Sequence, residues 1–204
     1  MLCFDIGAYV GDKTQEMLDL GADKVIAVEP HPESYYVLEQ RFKSNPKVTA
    51  VQRAVSDHFG WGILTQPSAN LLTLSTLNPL KWFTGRFAGL TSAKEFKVKL
   101  TTLDALIKCY GLPDYIKIDV EGHEAVILRG LHRRIPWVKF EYSSEFPKAM
   151  VECLRLLSDL APITASWSSG DGYASPYMNV DEVIVQVRAK GDWGDIMCKS
   201  EAID

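Results

Sequence analysis

The chain has 204 residues, is 47% hydrophobic and carries a formal net charge of −4, which predicts one globular domain with a single core. Its Lys and Arg residues are dispersed and no stretch has the roughly 20 apolar residues of a membrane span, so nucleic-acid-binding and membrane proteins are disfavoured. The cysteines are far apart and form no C-x-x-C pair, and no signal peptide precedes the first apolar run, so we expect reduced thiols and a cytoplasmic location.

Apolar strands alternate with amphipathic helices along the chain, which is typical of a parallel sheet covered on both faces. The predicted strands are Leu2–Ile6, Val25–Glu29, Val48–Val55, Phe96–Leu100, Tyr115–Val120, Val138–Glu141, Ile163–Trp167 and Glu182–Val187. The predicted helices are Asp12–Leu20, Pro32–Lys43, Leu103–Cys109, Gly122–Gly130 and one that Pro147 begins. The sequence therefore predicts a doubly wound α/β domain over residues 1–204, mostly parallel, with its last two strands as an antiparallel edge hairpin.

Residues 58–94 interrupt this alternation and contain many turn-forming residues. Aromatic and basic side chains are interspersed among them: Trp61, Trp82, Phe83, Arg86 and Phe87. Long loops in compact domains often cover binding sites, and aromatic faces suit the C–H surfaces of sugars. We expect an insertion here that covers a substrate, although the aromatic residues could instead pack the loop onto the sheet.

The turn after the first strand is bounded by Gly7 and Gly11, and Glu29 ends the second strand. Ligands of doubly wound sheets bind outside the carboxyl ends of the strands. Glycines permit close backbone approach, and a strand-end carboxylate can accept hydrogen bonds from both hydroxyls of a ribose. The pattern predicts a nucleoside site, unless the segment is only a tight connection.

The spacing of the glycines in this turn distinguishes between three candidate ligands. A dinucleotide would require G-x-G-x-x-G, whereas the glycines here are spaced G-x-x-x-G. A nucleoside triphosphate would require G-x-x-x-x-G-K-[ST], but Asp12 stands between Gly11 and Lys13 and places a negative charge where phosphates would bind. S-adenosylmethionine has no phosphate, and its adenosine and amino-acid parts suit a small turn flanked by Asp5 and Glu29.

The segment K-I-D-V-E-G-H-E at residues 117–124 is the most distinctive in the chain. Together with D-I-G-A-Y-V-G at 5–11, V-E-P at 28–30, A-V-S-D at 54–57 and T-L-D at 102–104, it closely resembles the FkbM family of methyltransferases. The resemblance implies a class I methyltransferase fold, S-adenosylmethionine as donor and S-adenosylhomocysteine as product. It also implies an acceptor oxygen on a saccharide or another hydroxylated natural product.

The resemblance also implies roles for individual residues in cofactor binding. The methionine end of the cofactor would lie against one set: Asp5, Gly7, Ala8 and Gly11. The ribose would lie against Glu29 and Pro30. The adenine would lie against Ala54, Val55 and Asp57.

The second motif carries the chemistry that methyl transfer needs, because the enzyme must align the acceptor and remove its proton. His123 would lie in the first turn of a helix, where the helix dipole disfavours the imidazolium, so we expect it to be the general base. Glu121 would orient it or bind the acceptor, with Asp119 on the sulfonium side and Glu141 at the same rim. Alternatively, His123 could cap the helix, Glu141 could be structural, and Asp119, Glu121 and His123 could bind a divalent metal. The spacing fits no standard metal site, so we predict none.

The leading hypothesis is an O-methyltransferase that acts on a small molecule or a saccharide. N- or C-methylation would leave the cofactor side unchanged, and a non-catalytic module could retain the same pocket. The sequence also leaves open a homo-oligomer.

Overall fold

A computed structural model describes residues 1–67, 75–77, 93–143, 146–191 and 193–201. Trp82, Phe83, Arg86 and Phe87 of the predicted insertion lie outside these residues. The strands are β1 Leu2–Ile6, β2 Lys24–Val28, β3 Val48–Val51, β4 Ala54–Val55, β5 Gly60–Pro67, β6 Ala93–Thr101, β7 Tyr115–Ile118, β8 Trp137–Ser143, β9 Ile163–Ser169 and β10 Trp193–Ser200. The helices are α1 Asp12–Asp19, α2 Pro32–Phe42, α3 Leu103–Tyr110, α4 Glu124–Arg129, α5 Pro147–Leu160 and α6 Val180–Lys190.

Seven strands form the main sheet in the order β3-β2-β1-β7-β8-β10-β9. All neighbours are parallel except β10, which is antiparallel to both β8 and β9. The strand order reverses between β1 and β7, so their carboxyl ends diverge into a crevice there. The predicted doubly wound α/β class with an antiparallel edge is confirmed.

The central strands are apolar on both faces because helices cover both sides of the sheet. Phe4 of β1, Ile26 of β2 and Ile116 of β7 are each fully buried. These strands are largely apolar rather than alternating, although Asp5 interrupts β1 and Lys117 interrupts β7, and they place a core directly beneath the crevice.

The predicted strand at Glu182–Val187 is wrong, because this segment lies in helix α6. Val183 and Val187 are one helical turn apart and both buried. The Asn179 side chain caps the helix by accepting a hydrogen bond from the Glu182 N–H at 2.9 Å. The antiparallel partner of β9 is instead β10, so the edge is antiparallel but is not a hairpin.

The predicted strand at Val48–Val55 divides into β3 and β4, which belong to different sheets. A tight turn, in which the Arg53 N–H bonds to the Val51 carbonyl at 3.1 Å, separates them. Strand β4 pairs with β6, and β6 pairs antiparallel with β5, which starts within the predicted insertion. This three-stranded sheet has its own small apolar cluster, which includes Leu64 and Val98.

No helix in the described ranges is both long and apolar enough to cross a bilayer.

Candidate functional site

Gly7 allows the first turn to touch the end of the neighbouring strand. Its backbone has φ +79°, and a Cβ atom there would lie 2.0 Å from the carbonyl oxygen of Asp119. The N–H groups of Gly7 and Ala8 both donate to the Val28 carbonyl, at 3.0 and 3.1 Å. The turn is therefore joined to β2 on one side and pressed against the residue after β7 on the other.

An open cavity of about 570 Å³, including solvent at its mouth, lies where these strands end. It is lined by residues that follow β1, β2 and β7 and by strand β4. The predicted site residues in its lining are Gly7, Glu29, Pro30, Ala54, Val55, Asp119, Glu121 and His123. The structure therefore brings together residues from four separate segments of the sequence.

Glu29 presents a nearly buried carboxylate to this cavity. One oxygen accepts the Tyr9 N–H and the other accepts the His31 N–H, each at 2.8 Å. Burial raises the pKa of Glu29 to about 7, against the opposing effect of these two N–H groups. Each carboxylate oxygen can accept more than one hydrogen bond, so both could also receive a ribose hydroxyl.

Asp5 lies beneath the glycine turn and outside the cavity lining. The Thr14 hydroxyl donates to it at 2.7 Å, and the Lys117 ammonium lies 3.4 Å from its other oxygen. Lys117 is also 3.3 Å from an Asp119 oxygen and donates to the Gly7 carbonyl at 3.2 Å. Burial lowers the pKa of Lys117, but the charges of Asp5 and Asp119 more than offset this and leave it raised. Asp5 therefore stabilises the glycine turn through Thr14 and Lys117 rather than by lining the cavity.

Ala8 and Gly11 also lie outside the cavity lining. A Cβ atom on Gly11, whose φ is +91°, would lie 2.4 Å from the Phe42 ring and 2.7 Å from Leu38 on α2. The second glycine thus permits close packing of the turn against α2. Direct cofactor contacts for Ala8 and Gly11 stay predictions.

The turn after β7 is held by buried polar groups. The Glu124 carboxylate accepts the N–H groups of Val120 and Gly122, at 3.3 and 3.0 Å. Glu121 has φ +59°, which is unusual for a residue with a side chain, and the Thr76 hydroxyl donates to its carbonyl at 2.9 Å. The last glutamate of the motif is therefore a structural group that shapes this turn.

His123 immediately precedes α4, but its side chain makes no cap hydrogen bond to the helix. Its Nε2 atom lies 3.4 Å from the Ser56 hydroxyl oxygen. Burial lowers the pKa of His123 to about 4, with smaller contributions from Arg129 and His58 and an opposing one from Asp57. The imidazole is neutral as predicted, but its burial is the main cause rather than the helix dipole.

Asp57 lies outside the cavity lining, in the loop that follows β4. Its carboxylate accepts a hydrogen bond from the Ser56 hydroxyl at 3.3 Å and lies 2.6 Å from Nδ1 of His58. The bond to His58 is the main reason why the pKa of Asp57 is lowered. An adenine contact for Asp57 stays a prediction.

Glu141, on β8, approaches two other acidic residues of the site. One oxygen each of Asp119, Glu121 and Glu141 lie within 4.8 Å of one another, a spacing that a divalent ion could bridge. Glu141 lines a neighbouring smaller cavity together with Gly122, rather than the first cavity. The sequence had suggested Asp119, Glu121 and His123 as possible ligands of a divalent metal. In the structure the third member of this cluster is Glu141, not His123.

Sequence reasoning missed several residues of the site. The cavity is also lined by Tyr9, Arg53, Leu64, Ser75, Thr76 and Leu77. Tyr9 lies inside the glycine motif and could have been found there. Residues 64 and 75–77 come from β5 and the segment beyond it, which carry no motif. His31 is a further omission: it is fully buried, donates its N–H to Glu29, and its Nε2 lies 3.1 Å from the Gln66 side-chain oxygen.

Comparison with known proteins gives a family and a fold. Residues 5–189 match the model of the methyltransferase FkbM domain. The precorrin-6Y C5,15-methyltransferase of Geobacter metallireducens GS-15 is 12% identical, with a TM-score of 0.50 over 98% of this chain and 80% of that one. A candidate tRNA (m1A22) methyltransferase from Streptococcus pneumoniae is 10% identical, with a TM-score of 0.50 over 100% of this chain and 65% of that one. No curated protein gives a significant match. At these identities the structural neighbours show the shared class I methyltransferase fold.

Proposed function

Since the chain belongs to the FkbM methyltransferase family, we propose that it transfers a methyl group from S-adenosylmethionine to a hydroxyl of a saccharide or another small molecule. The observation that carries this proposal is the Glu29 carboxylate, which lines the cavity with both oxygens fixed by backbone N–H groups. A rigid, buried acceptor pair at the end of the second strand suits the two hydroxyls of a ribose.

The remaining lining fits the rest of the same cofactor. Gly7 lets the turn pack directly against the Asp119 backbone, and both residues line the cavity. Asp119 can accept hydrogen bonds from an ammonium, and Val55 and Val120 provide apolar surface for a planar base. When bound, S-adenosylmethionine would supply an electrophilic methyl group on a sulfonium.

His123 is the base that we propose for the acceptor hydroxyl. It lines the cavity and is uncharged near neutral pH, so its ring can accept a proton. A pKa of about 4 makes it a weaker base than one with a pKa near the working pH. The carboxylates of Asp119, Glu121 and Glu141 can orient the acceptor hydroxyl by accepting hydrogen bonds.

Calorimetric titration with S-adenosylmethionine and with S-adenosylhomocysteine tests the cofactor assignment. We expect binding at micromolar concentration by the unmodified protein. No binding at millimolar concentrations of the cofactor would contradict the proposed function. The acceptor class is tested by transfer of a labelled methyl group to a panel of saccharides and hydroxylated small molecules, with tRNA as a comparison. Labelling of tRNA alone, or of nitrogen or carbon atoms, would contradict the proposed acceptor.

The base assignment has its own test. We expect His123→Ala to lower turnover about 100-fold while the Kd for S-adenosylhomocysteine stays within a few-fold. His132→Ala is the control, because that histidine is exposed, pairs with Asp104 at 3.0 Å and lies outside the cavity lining. Equal turnover of the His123 variant and the unmodified protein would exclude His123 as the base.

A further inference from the structure

Two non-glycine residues in the part of the chain that the structure describes have a positive φ, and both line the cavity. They are Tyr9, with φ +51°, and Glu121, with φ +59°. For a residue with a side chain this conformation costs about 1–2 kcal/mol. Such strain persists only where the surrounding structure imposes it.

Thr76 contacts Glu121 from the side of the three-stranded sheet. Its hydroxyl oxygen is 2.9 Å from the Glu121 carbonyl oxygen and 3.5 Å from that of Val120. The Thr76 backbone is in turn fixed to β5, because it exchanges hydrogen bonds of 2.9 and 3.0 Å with Thr65. Thr76 is 1% exposed, so water has almost no access to replace its hydroxyl.

The same turn is held on its opposite side by α4. The Glu124 carboxylate accepts the N–H groups of Val120 and Gly122, whereas the Thr76 hydroxyl donates to the Glu121 carbonyl. The Gly122 N–H and the Glu121 carbonyl belong to the same planar peptide, so Glu124 and Thr76 hold that peptide from its two ends. The Val120 carbonyl belongs to the peptide on the other side of the Glu121 Cα, so the Thr76 hydroxyl contacts both peptides whose relative orientation defines the φ and ψ of Glu121.

We propose that Thr76 is a positioning residue, whose hydroxyl holds Glu121 in the left-handed conformation and so keeps Val120 and Glu121 in the cavity wall. This inference rests on the proposed function, because it takes the cavity to be the cofactor site. It makes β5 and the segment at 75–77 part of the binding site, although they lie outside the main sheet.

Three threonine variants and calorimetry with S-adenosylhomocysteine test the effect on binding. Thr76→Val keeps the shape but removes the donor, and we expect the Kd to rise at least about tenfold, because the part-buried Glu121 carbonyl loses this hydrogen bond. Thr76→Ser restores the hydroxyl and should restore most of the affinity. Thr65→Val is the matched control, since Thr65 is also buried and lies on the same bridge. Equal affinity of Thr76→Val and the unmodified protein would overturn the proposal.

Combining Thr76→Val with Glu121→Gly tests whether Thr76 acts by positioning Glu121 or only by stabilising the protein. Glycine adopts a positive φ without strain, so Glu121→Gly no longer needs the Thr76 hydroxyl to hold its backbone. In that background we expect Thr76→Val to change the Kd less than about threefold. The same loss in both backgrounds would mean that Thr76 acts on stability alone.

NMR of the cofactor-free protein tests the positioning role of Thr76 separately from the proposed methyltransferase function. The three-bond HN–Hα coupling and the chemical shifts of Glu121 in isotopically labelled protein report its φ directly. We expect Glu121 to leave the left-handed conformation in Thr76→Val and to retain it in Thr76→Ser. If the unmodified protein binds no cofactor but this response occurs, the proposed function fails while the positioning role stands. An unchanged φ in Thr76→Val would refute the positioning role.

Discussion

The cavity has two walls that are built in different ways. One consists of the carboxyl ends of β1, β2 and β7, where Gly7 and Glu29 follow directly on buried strands. The other consists of β4, Leu64 on β5 and residues 75–77, which come together through pairing between distant segments. The first wall is shaped by steric contact and buried charge, whereas Thr76 joins the second wall to the turn after β7 through a hydroxyl. We therefore expect changes in the first wall to have larger effects than changes at the contact between the two.

The largest effect is expected for Gly7→Ala. The added methyl group meets the Asp119 carbonyl at 2.0 Å and also requires a positive φ, so we expect a loss of at least about 3 kcal/mol in the free energy of unfolding. Gly21→Ala is the control, because Gly21 has φ +95° but no atom within 4 Å of the added carbon. It should cost only about 1–2 kcal/mol. Equal losses in urea denaturation would show that the first wall is not sterically tight.

Next in size is the effect of Glu29→Gln on cofactor binding. The amide nitrogen of Gln cannot accept the N–H of Tyr9 or His31, and the ribose loses a charged acceptor. We expect the Kd for S-adenosylhomocysteine to rise about 100-fold, as for the loss of one to two hydrogen bonds to a charged group. Glu33→Gln, an exposed acid in the first turn of α2, should leave the Kd unchanged. A change below threefold for the Glu29 variant would contradict the assignment of this wall to the ribose.

The raised pKa of Glu29 predicts that the affinity for the cofactor depends on pH. The pKa of Glu29 is raised to about 7, and the ribose hydroxyls require the deprotonated carboxylate as acceptor. Affinity should therefore level off above about pH 8 and fall as the pH is lowered, approaching about tenfold per pH unit below about pH 6. His123, with a pKa of about 4, and Lys117, whose pKa is raised, do not titrate in this window. Titration calorimetry across this range checks the slope, and it should disappear in Glu29→Gln.

The contrast between the walls also explains what could be predicted from the sequence. The first wall was predictable because its requirements are local: a largely apolar strand, a glycine where the turn is tight and an acid at the next strand end. The pattern also indicates that Lys117 pairs with a carboxylate, but its partners Asp5 and Asp119 and the packing role of Gly11 were not predictable, because neighbouring strands and α2 determine them. A motif marks a residue as constrained without showing which contact constrains it.

The second wall could not be predicted, because its geometry depends on long-range pairing. Strand β4 has two residues, and nothing in Ala54 and Val55 indicates that they leave the main sheet to pair with β6. Thr76 carries no motif, and only its bridge to Thr65 places it over the turn after β7. The error at α6 has a related cause. Its β-branched residues favour a strand locally, but Val183 and Val187 are buried on one helical face.

The smallest expected effect concerns the contact between the walls, where Glu121→Gly should increase stability. Replacing a left-handed residue by glycine removes strain of about 1–2 kcal/mol. Glycine also raises the conformational entropy of the unfolded chain, which offsets part of this effect, so the free energy of unfolding should increase by at most about 1 kcal/mol. Glu121→Ala removes the same carboxylate and retains the strained Cβ, so it should show no such gain. Urea denaturation of both variants isolates the backbone contribution from that of the carboxylate. A gain in the glycine variant together with weaker methyl transfer would mean that the side chain is kept at this strained position for binding or catalysis. Equal stability of the two variants would mean that Glu121 is not strained, and the contact with Thr76 would then have nothing to hold in place.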